Sequence, residues 1–334
     1  MGNYKQIKLE KGMYQVQKGF LPTLEALDPT DQYRGTTLGN LDAFERQLCR
    51  YDIRVSGENS STVGSFFENS QTAVLFPEYV RRAVATGMNQ AGQLQKMVAA
   101  TTVIQGQDYR PITAKVIDAD KISEEGSNLP ETSIVSQKNL VALKKRGRLL
   151  TASYEAIRFQ RLEVFAAMLR QIGANIARSQ MQDAIEVLVN GDGNSNKASV
   201  ISATGAQLTY EDVLALWGAF ENAEMNTMLC GSSAIVKLAG LPEFKNPLTG
   251  LDFASEGTLH TPVGAELVKS NFVPEKTIIG LDRNCALEKV CAGQDGVLVD
   301  YDKLIDHQLE CASITSITGF AKIFPEATKV LKFS

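Results

Sequence analysis

The 334-residue chain is 44% hydrophobic and 22% charged, with a formal net charge of -4. That is enough apolar material for a sizeable core, and it excludes a global basic field of the kind that drives nonspecific nucleic-acid binding. Five cysteines, Cys49, Cys230, Cys285, Cys291 and Cys311, are odd in number and lack CxxC spacing, which argues against a disulfide framework or a zinc knuckle and for reduced thiols in a cytoplasm.

No apolar run reaches the roughly 20 residues needed to cross a bilayer, and the polar start lacks the apolar centre of a signal peptide, so no membrane partner is expected. From the N-terminus, Lys5, Lys8, Lys11 and Lys18 stand against Glu10 among Gly12, Gly19 and Pro22, which reads as an extended arm. Leu38, Leu41, Phe44 and Leu48 recur at helical spacing and predict a short amphipathic helix. SGENSSTVGSFFENS, rich in Ser, Gly and Asn, predicts a linker ending near Ser70. Pro77 followed by Glu78 suits the first turn of a helix starting there.

From Arg110 to Ser153, β-branched segments flank the polar ADKISEEGSNLPET. They predict a long two-stranded ribbon with a solvated tip at Gly126 to Thr132. Val141, Leu143 and Leu149 share one parity while Lys144, Arg146 and Arg148 share the other, the pattern of a ribbon packed on one face. Ser153 as cap, Glu155 in the first turn and Leu162, Phe165, Leu169, Ile172, Ile176, Met181, Ile185 and Leu188 at three-and-four spacing predict a long helix that NGDGN stops. Thr209 with Asp212 opens a further helix through Trp217 and Phe220 in a capping-box pattern. NTMLCG then reads as a strand, SSAIVKLAGL as a helix, and KTIIGLD, SITSITGFAKIF and KVLKF as strands.

No catalytic, cofactor or metal residue is expected. His260 and His307 are the only histidines, with no second ligand at metal spacing, and no GxSxG, GxGxxG or GxxxxGK[ST] motif occurs. NGDGN follows a helix instead of preceding one, so the dipole there is wrong for an anion.

The order of arm, linker, ribbon, long helix, α/β lobe and closing strands resembles the Hong Kong 97-type major capsid proteins of tailed bacteriophages. So do the strings AVLFPEYVRRAV, EEGSNLPETSIVSQKNLVALKKRGRLLTASYEAI, VLVNGDGN, IIGLDRNCALEKV and ITGFAKIFPEATKVLKF. The resemblance runs from about Ala73 to Phe333. It implies an α+β fold with an N-terminal arm and linker (1–72), the start of the folded core (73–102), an extended loop (103–152), a spine helix and peripheral domain (153–207), an axial domain (208–300) and closing strands of the peripheral domain (301–334).

By that resemblance the protein is a shell subunit and not an enzyme. It assembles in a bacterial cytoplasm into hexamers and pentamers of a phage or prophage head around double-stranded DNA. Portal and scaffolding proteins, and a decoration protein, are the implied partners. An encapsulin-type nanocompartment shell shares the fold, and a soluble α/β enzyme with an unrecognised site is a third reading. The arm and linker favour the phage over the encapsulin, and the lack of any paired catalytic motif disfavours the enzyme.

Two clusters are candidate contacts. Lys144, Lys145, Arg146 and Arg148 clasp Glu124 and Glu125 of another subunit's loop, or form a solvated ribbon face. Lys5, Lys8, Lys11 and Lys18 face packaged DNA, or serve solubility. The family's namesake links a loop lysine to a peripheral-domain asparagine. Lys115, Lys121 and Lys138 are available here, but no asparagine follows Asn284, so a shell without covalent links is expected.

Overall fold

The computed structural model describes residues 4–14, 19–106, 108–115, 133–153, 158–205, 207–245, 261–293, 296–304 and 309–334. Among them the α-helices are α1 (Phe20–Leu27), α2 (Ala43–Arg50), α3 (Ser70–Ala91), α4 (Leu162–Asn190), α5 (Tyr210–Gly218) and α6 (Ser232–Gly240). The strands are β1 (Val98–Ile104), β2 (Ile112–Lys115), β3 (Ser133–Ser136), β4 (Lys144–Ser153), β5 (Ser199–Ser202), β6 (Thr227–Cys230), β7 (Glu266–Lys269), β8 (Thr277–Leu281), β9 (Leu287–Ala292), β10 (Leu298–Leu304), β11 (Leu309–Lys322) and β12 (Thr328–Lys332). The chain forms two compact units, one of Met1–Ala91, Lys145–Ala177 and Ala292–Ile317, the other of Gly92–Lys144, Arg178–Cys291 and Thr318–Ser334.

In the first unit the residues expected to form an arm are folded. Leu9, Met13, Phe20 and Leu24 share one core with Phe44 and Leu48 of α2, Leu75, Phe76, Val80 and Val84 of α3, and Leu162, Phe165 and Leu169 of α4. The sequence hid this because Tyr4–Gln6 and Lys11–Tyr14 are single 3-10 turns, too short to display a period. The expected linker is also packed: Val63 and Phe66 are fully buried. Its backbone pairs with the chain ahead of α4, where Val63 N–H donates to Gln160 O at 2.9 Å and Leu162 N–H to Ser61 O at 2.9 Å.

Helix α2 begins with a reciprocal capping box between Asp42 and Glu45. The guanidinium of Arg46, on its buried side, is entirely enclosed. Its Nε donates to Asp28 Oδ2 at 2.6 Å, while other nitrogens reach the carbonyls of Asp28 and Leu41. The Tyr33 ring lies 4.4 Å from the guanidinium carbon, and its hydroxyl donates to Asp28 Oδ1 at 2.6 Å. A charge buried this deeply is tolerable only when paired and hydrogen-bonded throughout, as here.

Helix α3 starts at Ser70, not at Pro77, because Asn69 Oδ1 accepts from the N–H groups of Gln71 and Thr72 at 2.9 and 2.8 Å. Pro77 therefore sits inside the helix, where a proline costs a hydrogen bond and crowds the preceding turn. The Tyr14 hydroxyl fills the break, donating to Val74 O at 2.8 Å and accepting from Glu78 N–H at 3.1 Å. Its ring stacks on Phe20 at 4.5 Å, and burial raises its pKa well above that of an ordinary phenol.

Helices α3 and α4 meet backbone to backbone. A Cβ on Gly87 would lie 2.0 Å from Arg170 O, and one on Gly173 would lie 2.1 Å from Val84 O. Tyr79 fastens the same pair by donating to Leu162 O at 2.6 Å. Helix α4 has 29 residues, about 44 Å at 1.5 Å per residue. It begins later than expected, because β4 runs through Ser153 and so that residue is no helix cap; Glu155 lies outside the described residues. The strand also departs from the expected parity: Leu149 is 64% exposed, while Leu150 packs against the first core. The expected side holds at Val141 and Leu143 and changes within β4, in the first unit. There β4 and β10 both pair with β11, with Leu298 opposite Thr315 and Leu304 opposite Leu309 in the β10 ladder.

In the second unit a five-stranded sheet has the order β5-β12-β8-β6-β7. Strand β12 runs parallel to β5 and antiparallel to β8, and β6 runs antiparallel to β8 and parallel to β7. One face carries Leu229, Ile279 and Val330 against Met181, Ile185 and Leu188 of α4. The other carries Met228, Cys230, Ile278 and Leu331 against Val213 and Leu216 of α5 and Ala234 and Leu238 of α6, the two-residue alternation of a sheet covered on both sides. The Thr209–Asp212 capping box forms as expected. Strand β9 pairs with the end of β11, Cys291 opposite Thr318 through Leu287 opposite Lys322. The ribbon forms too, β2 and β3 pairing antiparallel, while its tip, Gly126 to Thr132, lies outside the described residues.

Replacing Gly87 or Gly173 by alanine is expected to destabilise the first unit by about 1–3 kcal/mol or more, since backbone cannot yield as a side chain does. Tyr14→Phe should cost about 1–3 kcal/mol through the two unbridged backbone groups. Gly218→Ala, in open space, is the control that should cost nothing. Guanidinium unfolding midpoints at constant slope check all four.

Candidate intersubunit surfaces

On the ribbon, Ile112 faces Ser136 and Ala114 faces Ile134 across the ladder, so both isoleucines point the same way. They are 53% and 70% exposed. The opposite face is turned inward, where Thr113 Oγ1 donates to Ile323 O at 3.2 Å. This exposed isoleucine face is not the one expected from Val141, Leu143 and Leu149, of which Val141 is buried and Leu143 partly so; within its own chain it is left open to solvent.

The basic cluster is divided. Lys144 Nζ contacts Asp183 Oδ1 at 2.9 Å and Glu186 Oε2 at 3.3 Å, and the hydrogen bond to Asp183 is the main reason its pKa is raised. It is tied to its own chain's α4. Lys145 and Arg148 are exposed and Arg146 is half-buried; Glu124 and Glu125 lie outside the described residues. Of the N-terminal lysines, Lys5 lies 6.0 Å from the Tyr4 ring, Lys8 pairs with Glu10 at 2.9 Å and Lys11 is exposed. They decorate a folded segment, not an extended arm, and Lys18 lies outside the described residues.

Sequence reading missed a second apolar surface. In the first unit Phe159 is 81% exposed, with Val164 and Met168 on the outer side of α4 about half exposed. A signal existed: Val164 and Met168 are four apart and off the stripe made by Leu162, Phe165 and Leu169. The sequence also gave no hint of Lys322, which is completely buried. Its Nζ donates to Leu188 O at 2.9 Å and Asn196 O at 3.0 Å, closing the C-terminal end of α4, a favourable place for a cation. Burial pushes its pKa down to about 8, partly opposed by Asp192.

Among the described residues no group of His, Cys, Asp and Glu could hold a metal ion, and no helix is long and apolar enough to cross a membrane. His260 and His307 lie outside the described residues. The described structure holds all five cysteines as free thiols.

Residues 137–299 match a family model described as phage capsid protein, while no curated protein matches the chain. Among solved structures, the virus-like particle from Pyrococcus furiosus is 15% identical with a TM-score of 0.51, covering 77% of this chain and 99% of that one. The capsid of the native GTA particle is 12% identical with a TM-score of 0.54, covering 75% and 90%. The capsid of the empty GTA particle is 14% identical with a TM-score of 0.50, covering 73% and 90%. At these identities the likeness is one of fold, and that fold is the Hong Kong 97-like α+β shell architecture.

Because the folded pKa of Lys322, about 8, lies below the ordinary 10.5, the unfolded chain binds more protons between those two values, and this group makes stability rise with pH across that window. The unfolding free energy of the native protein minus that of Lys322→Met should therefore grow from pH 7.5 to 9.5. A difference that stays flat would show that the ammonium is not desolvated.

Proposed function

We infer that this chain is the major capsid protein of a phage or prophage head, assembling into hexamers and pentamers that enclose double-stranded DNA. The observation that carries the reading is the phage-capsid family match over residues 137–299 on a shell-type fold. The open apolar ribbon face supports it, because isoleucines exposed on a two-stranded excursion have no reason to face water unless a neighbour covers them.

In this reading residues 103–152 form the loop that overlies the next subunit, 153–207 the spine and peripheral domain, 208–300 the axial domain and 301–334 the closing strands. Residues 73–102 open the core, joined there by the folded segment before them. Lys145, Arg146 and Arg148 clasp Glu124 and Glu125 of the neighbour's loop, while Lys144 stays on its own α4. Lys5, Lys8, Lys11 and Lys18 offer weak, salt-sensitive contacts to the packaged DNA. Portal, scaffolding and decoration proteins complete the head, which assembles in the host cytoplasm. The protein has no catalytic role. Nuclease-protected DNA in purified particles distinguishes this from an encapsulin-type shell, which would hold protein cargo.

Expression should yield closed shells or capsomers by negative-stain microscopy; a monomer at every concentration and salt would overturn the reading. Lys145→Glu with Arg148→Glu should abolish shells without unfolding the subunit, and Glu124→Lys with Glu125→Lys should restore them. Shells at normal yield from the first pair would remove the clasp. Boiled with detergent and reductant, particles should give one band near 36.4 kDa, at full length because the N-terminal segment belongs to the core, and with no ladder.

A further inference from the structure

The ribbon has little apolar anchorage: within β2 and β3 no described side chain is buried, and the nearest small core, around Val141, Val290 and Ala321, lies beyond its base. What holds the base is polar. Asn139 N–H donates to Asn194 Oδ1 at 2.8 Å and its Nδ2 to Gly193 O at 2.6 Å, while Gln137 Nε2 reaches Lys322 O at 3.3 Å.

The receiving surface is the NGDGN turn that stops α4. Gly191 and Gly193 adopt φ of 84° and 93°, values that favour glycine. Asp192 Oδ1 accepts from Asn194 N–H and Nδ2 at 3.1 and 3.0 Å, and its Oδ2 accepts from Lys322 N–H at 3.0 Å. Asn196 Oδ1 accepts from Asp192 N–H at 3.0 Å. The Lys322 ammonium lies behind the turn, holding Leu188 O and Asn196 O together. The turn is thus braced from two sides before the ribbon touches it.

We propose that the NGDGN turn, braced by Lys322, is the seat that fixes the direction in which the ribbon leaves its unit, making Asn139, Asn194 and Lys322 positioning residues for shell assembly. They need touch no neighbour. A ribbon free to swing would present Ile112 and Ile134 in many orientations, and the ordering cost would fall on each assembly step. Two buried side-chain atoms here, Gln137 Oε1 and Asn196 Nδ2, have no partner among the described residues, and ordered water bound to them would complete the seat. The assembly role rests on the capsid reading; the seat itself does not.

The test is hydrogen exchange by mass spectrometry on unassembled subunits, paired with light-scattering assembly, for the native chain, Asn139→Ala and Asn194→Ala. Both variants should keep the native unfolding midpoint, exchange roughly threefold to tenfold faster over 112–115 and 133–136, and assemble more slowly. Lys322→Met should add faster exchange at 191–196; should it not fold, the two asparagine variants still decide. Unchanged ribbon exchange, or a native ribbon already exchanging like unstructured chain, overturns the seat. Faster exchange with native assembly rates overturns the role in assembly. If the native chain forms no shell, the capsid reading fails, and the exchange comparison alone judges the seat.

Discussion

The contact on which the first unit depends is the crossing of α3 and α4 at Gly87 and Gly173, where each helix lies against the other's carbonyls. A helical glycine costs roughly 0.5–1 kcal/mol relative to alanine, so two of them are a deficit that only packing offsets. The packing follows from the close approach. Phe76 stacks with Phe165 at 6.1 Å and meets Phe66 and Tyr301 at 5.6 and 5.3 Å, and Tyr79 reaches Leu162 across the pair. A wider crossing would open a cavity under all of these at once.

The N-terminal segment completes that arrangement. Pro77 breaks α3 beside this aromatic cluster, and Tyr14 supplies the missing bridge. The Arg46–Asp28 pair, enclosed on all sides, holds α2 to the chain ahead of it. Such a pair adds little net stability, but losing one partner would strand a charge in the core. The segment is thus integral to its unit: it builds the core, with Lys5, Lys8 and Lys11 on the outside.

The second unit follows another logic. Its sheet is fastened by apolar residues on both faces, whereas the ribbon at its margin is held by polar bonds at the base and shows its apolar face to solvent. Directional, individually weak bonds hold the base and leave Ile112 and Ile134 exposed. The basic strand shows the same economy. Lys144 is spent inside the chain on Asp183 and Glu186, and Lys145 and Arg148, of the same strand, stay outside.

Much of the fold was legible wherever a period ran long enough to count. Leu162 to Leu188 marked the spine helix, Thr209 and Asp212 the next helix start, and the β-branched runs the sheet strands, because burial on one face imposes a repeat of 3.6 or 2 on the sequence itself. The two-stranded ribbon itself was legible on the same ground, but its open face at Ile112 and Ile134 was not. The packed N-terminal segment was not, since 3-10 turns of three or four residues carry no repeat, and Ser, Gly and Asn around Val63 and Phe66 look like linker until a core is there to receive two side chains. Pro77 suggested a helix start because the residue that bridges its break, Tyr14, is 63 positions away in the chain. Lys322 could not be identified at all: a lysine in an alternating strand reads as solvent-facing, and only the carbonyls of Leu188 and Asn196, brought to it by the fold, make its burial possible. The sequence by itself determined the spine helix, the helix start at Thr209, the ribbon and the periodic strands, because those follow from neighbours a few residues apart. Which segments belong to the core, which lysine is inside and what seats the ribbon were decided by tertiary structure, because each rests on partners distant along the chain.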